Sequence, residues 1–379
     1  MIVGGAQENT LLTCADLLRI YGDEVLLVTG PAIGAEGDLL GQGRGGGVPI
    51  RYVPSLRRAV QPWRDWQSYR ELKSILREFR PDVVHTHSAK GGMLGRLAAW
   101  KVGVPAIVHT VHGAPFYPYQ NWLAQTAIRE CERLAARRCH ALVSVADAMT
   151  DLMVNAGIAS REKFTTVYSG MDVKPFLAAN EQREVTRREL GYEPRHVVIG
   201  KIARLFHLKG HEYVIDAART VVRECPDVRF LFVGDGLLRD SLQQQINSAG
   251  LGGYFQFTGL VPPDRIPALI GAMDVLVHAS LREGLARALP QALIAGKPVV
   301  SFDIDGAREV VIEDETGFLT PPQQAAPLAA VLIELARDAV LRNRLGACGR
   351  ERFADQFRHE TMTRKLRTIY ERVLASRDV

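Results

Sequence analysis

The chain has 379 residues, 47% of them hydrophobic and 23% charged, with a net charge of +5. That length suggests about two domains of roughly 100–200 residues each, and no run of about 18 apolar residues is present to span a membrane. The positive excess is diffuse, with 20 Lys and Arg against 16 Asp and Glu in residues 1–180 and 27 against 26 thereafter. No RNP, helix-turn-helix or zinc-finger pattern accompanies it, so nucleic acid is excluded as a partner.

The first element is a glycine pair, Gly4 and Gly5, in VGGAQENTLL, followed by an amphipathic helix. Glycines let backbone N–H groups approach an anion at a helix start. A plain strand-to-helix turn is the other reading, and without GxGxxG there is no dinucleotide fingerprint. A doubly wound domain enters through a central strand that delivers such a loop. Only MIV precedes Gly4, so the first strand is missing, and we expect the natural start to lie upstream of Met1. The opening residues carry Glu8 and Asp16 and lack a basic start, unlike a signal peptide.

Strand-like runs then alternate with helix-length amphipathic runs. EVLLVTG (24–30), DVVHTHS (82–88), PAIVHTV (105–111) and HALVSVA (140–146) are separated by helical stretches at 67–79, 91–103 and 121–138. The second half repeats the scheme with HVVIGKIA (196–203), VRFLFVG (228–234), FQFTG (255–259), DVLVHAS (274–280) and KPVVSFD (297–303). This alternation predicts parallel sheets with helices on both faces, in two doubly wound domains. The polar stretch 171–195 is the expected linker. The domains are expected at 1–175 and 176–355. A helix within 356–379 ends a three-helix tail from about 325 and is placed to cross back to the first domain. Five cysteines without a CxxC pair fit reduced thiols in a cytoplasmic protein.

Several loops carry residues suited to an anionic, hydroxyl-rich ligand. Arg204 and Lys209 follow a strand and precede a helix, where two cations suit a diphosphate. In REGLARALPQAL, Gly284 permits close backbone approach, and the free N–H groups of Leu285, Ala286 and Arg287 suit phosphate oxygens. A carboxylate, Glu283, stands at the mouth of that anion site, and sugar hydroxyls are its natural partners. Gln291, eight positions on, either binds a second diol or packs the helix. Two strand ends supply His85, His87, His109 and His112. They either bind a metal or line the site, and no carboxylate or cysteine cluster accompanies them.

Taken in order, VGGAQENT, RPDVVHTHSAKGGMLGRLAA, HTVHG, ARLFHLKG, VGDG, EGLARALPQALIAGKPVV and DGAREVV…ETGFL resemble the retaining glycosyltransferases of family four, over almost the entire chain. The resemblance implies the GT-B fold, in which the two Rossmann-like domains face each other across a cleft. It implies a metal-independent enzyme without a cofactor. Such an enzyme passes a sugar from a nucleotide-diphosphate-sugar donor to a saccharide or lipid-linked acceptor, with retention, in assembly of a bacterial polysaccharide. By the same resemblance, Arg204 and Lys209 hold the diphosphate and Glu283 the transferred sugar. The backbone of Leu285, Ala286 and Arg287, with Gly284, Gly4 and Gly5, faces phosphate. Gly234 belongs to the donor loop VGDG, and His112 lies near the donor sugar. Where the family pattern has a second Glu on the ribose, this chain has Gln291. A nucleotide-sugar 2-epimerase and a non-catalytic nucleotide-sugar binder are the alternatives. The segment 51–80 has eight Lys and Arg, three acids, Trp63, Trp66 and Tyr69. It reads either as a solvated helix or as an attachment to an anionic membrane surface, which would make the protein peripheral on the inner face of the cell membrane.

Overall fold

The computed structural model describes residues 4–32, 39–40, 47–116 and 120–376. Residues 1–3, on which the expectation of a missing strand falls, lie outside the described residues. The chain divides into two compact units, Met1–Met171 with Gln356–Val379, and Asp172–Asp355.

In the first unit β1 (Leu27–Thr29) and β2 (Ile50–Tyr52) form a parallel pair. A second parallel sheet runs in chain order through β3 (Val83–His87), β4 (Ala106–Val111), β5 (Ala141–Ser144) and β6 (Phe164–Thr166). All six residues of β4 are buried, as expected of a central parallel strand covered on both faces. On one face Val108, Ala141 and Val143 pack against Met362, Leu366 and Ile369 of the helix His359–Ala375. The same helix is tied to the helix Gly5–Ile20, because His359 Nδ1 and Thr363 Oγ1 both reach Asp16 Oδ2, at 2.8 and 2.7 Å. The last helix is therefore part of the first unit.

The second unit is built on six parallel strands, β7 (Val197–Ile202), β8 (Val228–Val233), β9 (Phe255–Phe257), β10 (Val275–His278), β11 (Val299–Phe302) and β12 (Gly317–Thr320). Their order is β9-β8-β7-β10-β11-β12. Strand order reverses between β7 and β10, and in doubly wound sheets ligands bind beyond the strand ends at that reversal. One face of the sheet, with Ile199, Phe230, Phe232, Val277 and Phe302, packs on Val214, Ile215, Leu328 and Leu332 of two helices.

Residues 171–195 are not a free linker. They contain the helices Lys174–Leu177 and Arg183–Glu189, and two of the arginines that make the stretch polar have anchored heads. Arg183 and Arg187 grip Asp274 at 2.6 and 3.2 Å. Both also donate to carbonyls at the end of the helix Ile266–Ala272, satisfying acceptors that a helix end leaves open.

Candidate active site

Beyond β7 the chain makes a tight loop that carries Arg204 and Lys209 into the helix His211–Glu224. Gly210 decides its path. Its φ is 65°, and a Cβ there would lie 1.8 Å from the carbonyl oxygen of Ala279. Only glycine lets this loop press against the segment that follows β10, and Lys209 is thereby brought onto Glu283, with which it forms an ion pair. The two residues expected on diphosphate and sugar are thus held by each other. Arg204 is exposed and its guanidinium lies 4.9 Å from the Phe206 ring centre.

The segment bearing Glu283 is pinned from both sides. The Leu281 N–H donates to the Leu208 carbonyl at 2.8 Å, and the Glu283 N–H to Asp305 Oδ2 at 2.6 Å. The Gly306 N–H donates to the Gly284 carbonyl at 3.1 Å. Leu208 and Asp305 are both non-glycine residues at positive φ, 67° and 43°, a conformation that surrounding contacts must impose. Burial works against the Glu283 carboxylate, yet His278 and Lys209 hold its pKa down at about 2. Beneath it, His278 Nε2 stands 3.6 Å from Glu283 Oε1. Lys201, on β7, is buried, and its Nζ has no hydrogen-bond partner among the described residues. Burial, reinforced by the Lys209 charge, lowers Lys201 to about 7, with Glu283 and Glu212 opposing.

The stretch after Gly284 is less helical than its sequence suggests. Leu285 lies in a bend, Ala286 in irregular backbone and Arg287 in a turn, and the helix runs only over Ala288–Ile294. Helical phase therefore does not relate Glu283 to Gln291, which sits half-buried in that short helix. Gly234, at φ 135°, closes onto β7, because a Cβ there would lie 2.2 Å from the Ala203 carbonyl oxygen.

The first unit gathers four of its six histidines on and just beyond β3 and β4. On one face, His85 bridges Tyr370 Oη at 2.6 Å and Thr110 Oγ1 at 2.7 Å. His87 Nδ1 lies 3.0 Å from His112 Nε2, with the rings stacked. On the other face, His109 Nδ1 meets Thr86 Oγ1 at 2.9 Å. A Cβ on Gly92 would come 2.3 Å from the His109 ring, so a glycine lets the helix Ala89–Val102 cover it. Burial, followed by the neighbouring His112, lowers His85 to about 3, and burial also lowers His87 and His109 well below the usual imidazole range. These three rings are neutral hydrogen-bonding groups at neutral pH. Among the described residues no three His, Cys, Asp or Glu side chains are placed to hold a metal ion. Gly4 and Gly5 stand at the start of the helix Gly5–Ile20, with Gly4 in extended backbone.

Residues 4–170 match the family described as "Glycosyl transferase 4-like domain", and residues 182–352 match "Glycosyl transferases group 1". Together these matches span nearly the whole chain. It is a glycosyltransferase of the GT-B kind. This glycosyltransferase is 28% identical over 322 residues to UDP-Gal:alpha-D-GlcNAc-diphosphoundecaprenol alpha-1,3-galactosyltransferase of Escherichia coli, covering 84% of this chain and 82% of that one. It is 29% identical over 314 residues to 2-deoxystreptamine glucosyltransferase of Streptomyces kanamyceticus, covering 80% and 81%. Its fold matches Anabaena HepE, solved in complex with UDP, with a TM-score of 0.81 over 97% of each chain at 24% identity. A glycosyltransferase from Rickettsia africae superposes with a TM-score of 0.83 at 20% identity, covering 99% and 96%. The expected fold class, GT-B with two Rossmann-like parallel-sheet domains, is the observed one.

Lys201, His278 and Asp305 were not singled out from sequence. Asp305 lies inside DGAREVV, which carried the resemblance without a role for its acid. His278 and Lys201 read simply as polar interruptions in apolar strands. A buried polar residue on a strand needs a partner, and that is the one signal by which they were findable.

Proposed function

We propose that this glycosyltransferase takes a hexosyl group from a UDP-sugar and transfers it, with retention, to a lipid-linked saccharide acceptor at a membrane surface. The observation that carries the donor reading is the Lys209–Glu283 pair at the strand-order reversal of the second unit. A diphosphate outcompetes one carboxylate for Lys209, since phosphate oxygens offer more charge and more acceptors. Glu283, relieved of its cation, is then available to accept hydrogen bonds from sugar hydroxyls. As the bond between the anomeric carbon and the diphosphate loosens, charge grows on the diphosphate. Lys209 and Arg204 are the groups to stabilise it, usually the largest single contribution to such a reaction. The UDP in the Anabaena complex and the UDP-Gal in the name of the Escherichia coli relative support uridine as the base. No cofactor or metal enters this scheme. In the first unit, His112 serves sugar or acceptor hydroxyls as a hydrogen-bonding group.

The lipid-linked acceptor is supported by the diphosphoundecaprenol substrate in the name of the Escherichia coli relative. Among the described residues no helix is long and apolar enough to cross a membrane. The helix Pro62–Phe79, within the basic segment 51–80, instead presents Trp63 and Trp66, 67% and 46% exposed and stacked at 5.0 Å. Indoles beside Lys and Arg suit the interfacial region of an anionic bilayer.

A thermal-shift panel of UDP, GDP, UDP-glucose, UDP-galactose, UDP-N-acetylglucosamine and GDP-mannose tests the donor, because a ligand of the folded state raises Tm. UDP and one UDP-sugar are expected to shift it, and a response to guanosine compounds alone refutes the reading. Sedimentation with anionic vesicles tests the surface. Binding should fall at high salt and on Trp63→Ser with Trp66→Ser.

A further inference from the structure

When Lys209 turns to a diphosphate, its hold on Glu283 is given up or shared, since an ammonium has three donors. The Glu283 carboxylate then needs another fixed partner, or it turns freely and loses its aim at the sugar. The structure supplies one. His278, the last residue of β10, is buried, and its Nε2 faces Glu283 Oε1, the oxygen that Lys209 also holds. Its other nitrogen, Nδ1, lies 3.4 Å from the hydroxyl of buried Ser301, its register partner on β11. A carboxylate only accepts, so the nitrogen facing it carries the proton, while the Ser301 hydroxyl donates to the Phe302 carbonyl at 2.9 Å. At 3.6 Å the contact is longer than a hydrogen bond. A small turn of the freed carboxylate closes it.

Resting on the donor reading above, we propose that His278 is the positioning residue of Glu283: its Nε2–H takes over Oε1 when Lys209 moves to the diphosphate, leaving Oε2 aimed at the sugar hydroxyls. The ring does this as a neutral donor. Burial lowers its pKa, as do the Lys201 and Lys209 charges, against the opposing pull of Glu283. Lys209 is thereby free to change partner without unseating the carboxylate. His278 touches neither donor nor acceptor in this scheme and acts only through Glu283.

The test uses His278→Leu, His278→Asn and His278→Gln in the full chain, each alone and combined with Glu283→Gln. The readouts are UDP affinity by calorimetry, and kcat for UDP release from whichever of UDP-glucose, UDP-galactose or UDP-N-acetylglucosamine the unaltered enzyme turns over fastest. His278→Leu should lower kcat by roughly tenfold or more, as for one hydrogen bond to a charged group, with UDP affinity within about twofold. His278→Asn, whose shorter amide falls short of Glu283, should do the same and stands in if the leucine variant does not fold. His278→Gln, which restores a donor at that reach, should recover most of the rate. None of the three should lower kcat further in the Glu283→Gln background. Unchanged kcat in both His278→Leu and His278→Asn, or losses that multiply with Glu283→Gln, overturns the proposal while leaving the donor site standing. An unchanged kcat in Glu283→Gln alone refutes the sugar role of Glu283 and takes this proposal with it.

Discussion

The strand ends of the two units handle charge in opposite ways. In the second unit Lys209 pairs with the Glu283 carboxylate, whose pKa its neighbours hold down, on a segment held by two residues at positive φ. In the first unit the strand ends present imidazoles that burial keeps neutral, linked to Tyr370, Thr110 and one another. A diphosphate brings charge to a site, and cations already fixed there need no reorganisation when more develops. A sugar or acceptor hydroxyl brings none, and neutral donors and acceptors orient it without the cost of burying an ion. The difference is legible as chemistry in each unit alone.

The contrast is sharpest if removing a cation and removing a neutral group have different consequences. Lys209→Ala should lower kcat/KM by roughly 10- to 100-fold, from the loss of about 1.5–3 kcal/mol of charge-assisted contact, and Arg204→Ala by a comparable factor. Steady-state kinetics with the preferred UDP-sugar measures both. Near-normal values in two folded variants would place the diphosphate elsewhere. Glu283→Gln should cut turnover by roughly tenfold or more. It should also leave UDP affinity equal or tighter, since Lys209 loses its competing partner. Weaker UDP binding in calorimetry would contradict the exchange of partners.

Gln291→Ala has a smaller expected effect, about 0.5–1.5 kcal/mol on UDP affinity if the amide meets a ribose diol. Gln291→Glu would then bind UDP as well or better. An unaltered affinity in the alanine variant makes Gln291 a packing residue. In the first unit the expected change concerns pH. His85 has a folded-state pKa near 3, below the value of about 6.5 for a free imidazole, so the unfolded chain binds the extra proton first. Its contribution to stability is full above pH 6.5 and is lost as pH falls toward 3. Tm measured between pH 7 and pH 4 should decline less steeply in His85→Gln. An identical slope would show that His85 does not titrate differently on folding.

Much of the architecture could be read from spacing. Runs such as VRFLFVG and KPVVSFD are buried on both faces and bounded by turn residues, which suits central parallel strands and little else. The short strands Ile50–Tyr52 and Gly317–Thr320 were not picked out. Three or four residues hold no period. The loop cations and Glu283 were visible because glycines and strand ends bracket them. His278 and Asp305 were not, since their roles come from contacts with Glu283 made across β10, β11 and the loop beyond. Glu283 and Gln291 are not joined by one continuous helix, for a local reason. The Glu283–Gly284 segment is tied to Asp305 and Gly306, and the chain turns helical only at Ala288.

The last helix, His359–Ala375, has a consequence for how the protein is made. Its Met362, Leu366 and Ile369 complete the core beneath β4 and β5, and its Tyr370 holds His85. The first half of the chain thus leaves the ribosome without its final packing layer, while Asp172–Asp355 emerges with all of its own. Domains ordinarily settle in order of synthesis. Here the part translated first is finished last, and a stop codon just before His359 would spare the second unit and strip the first.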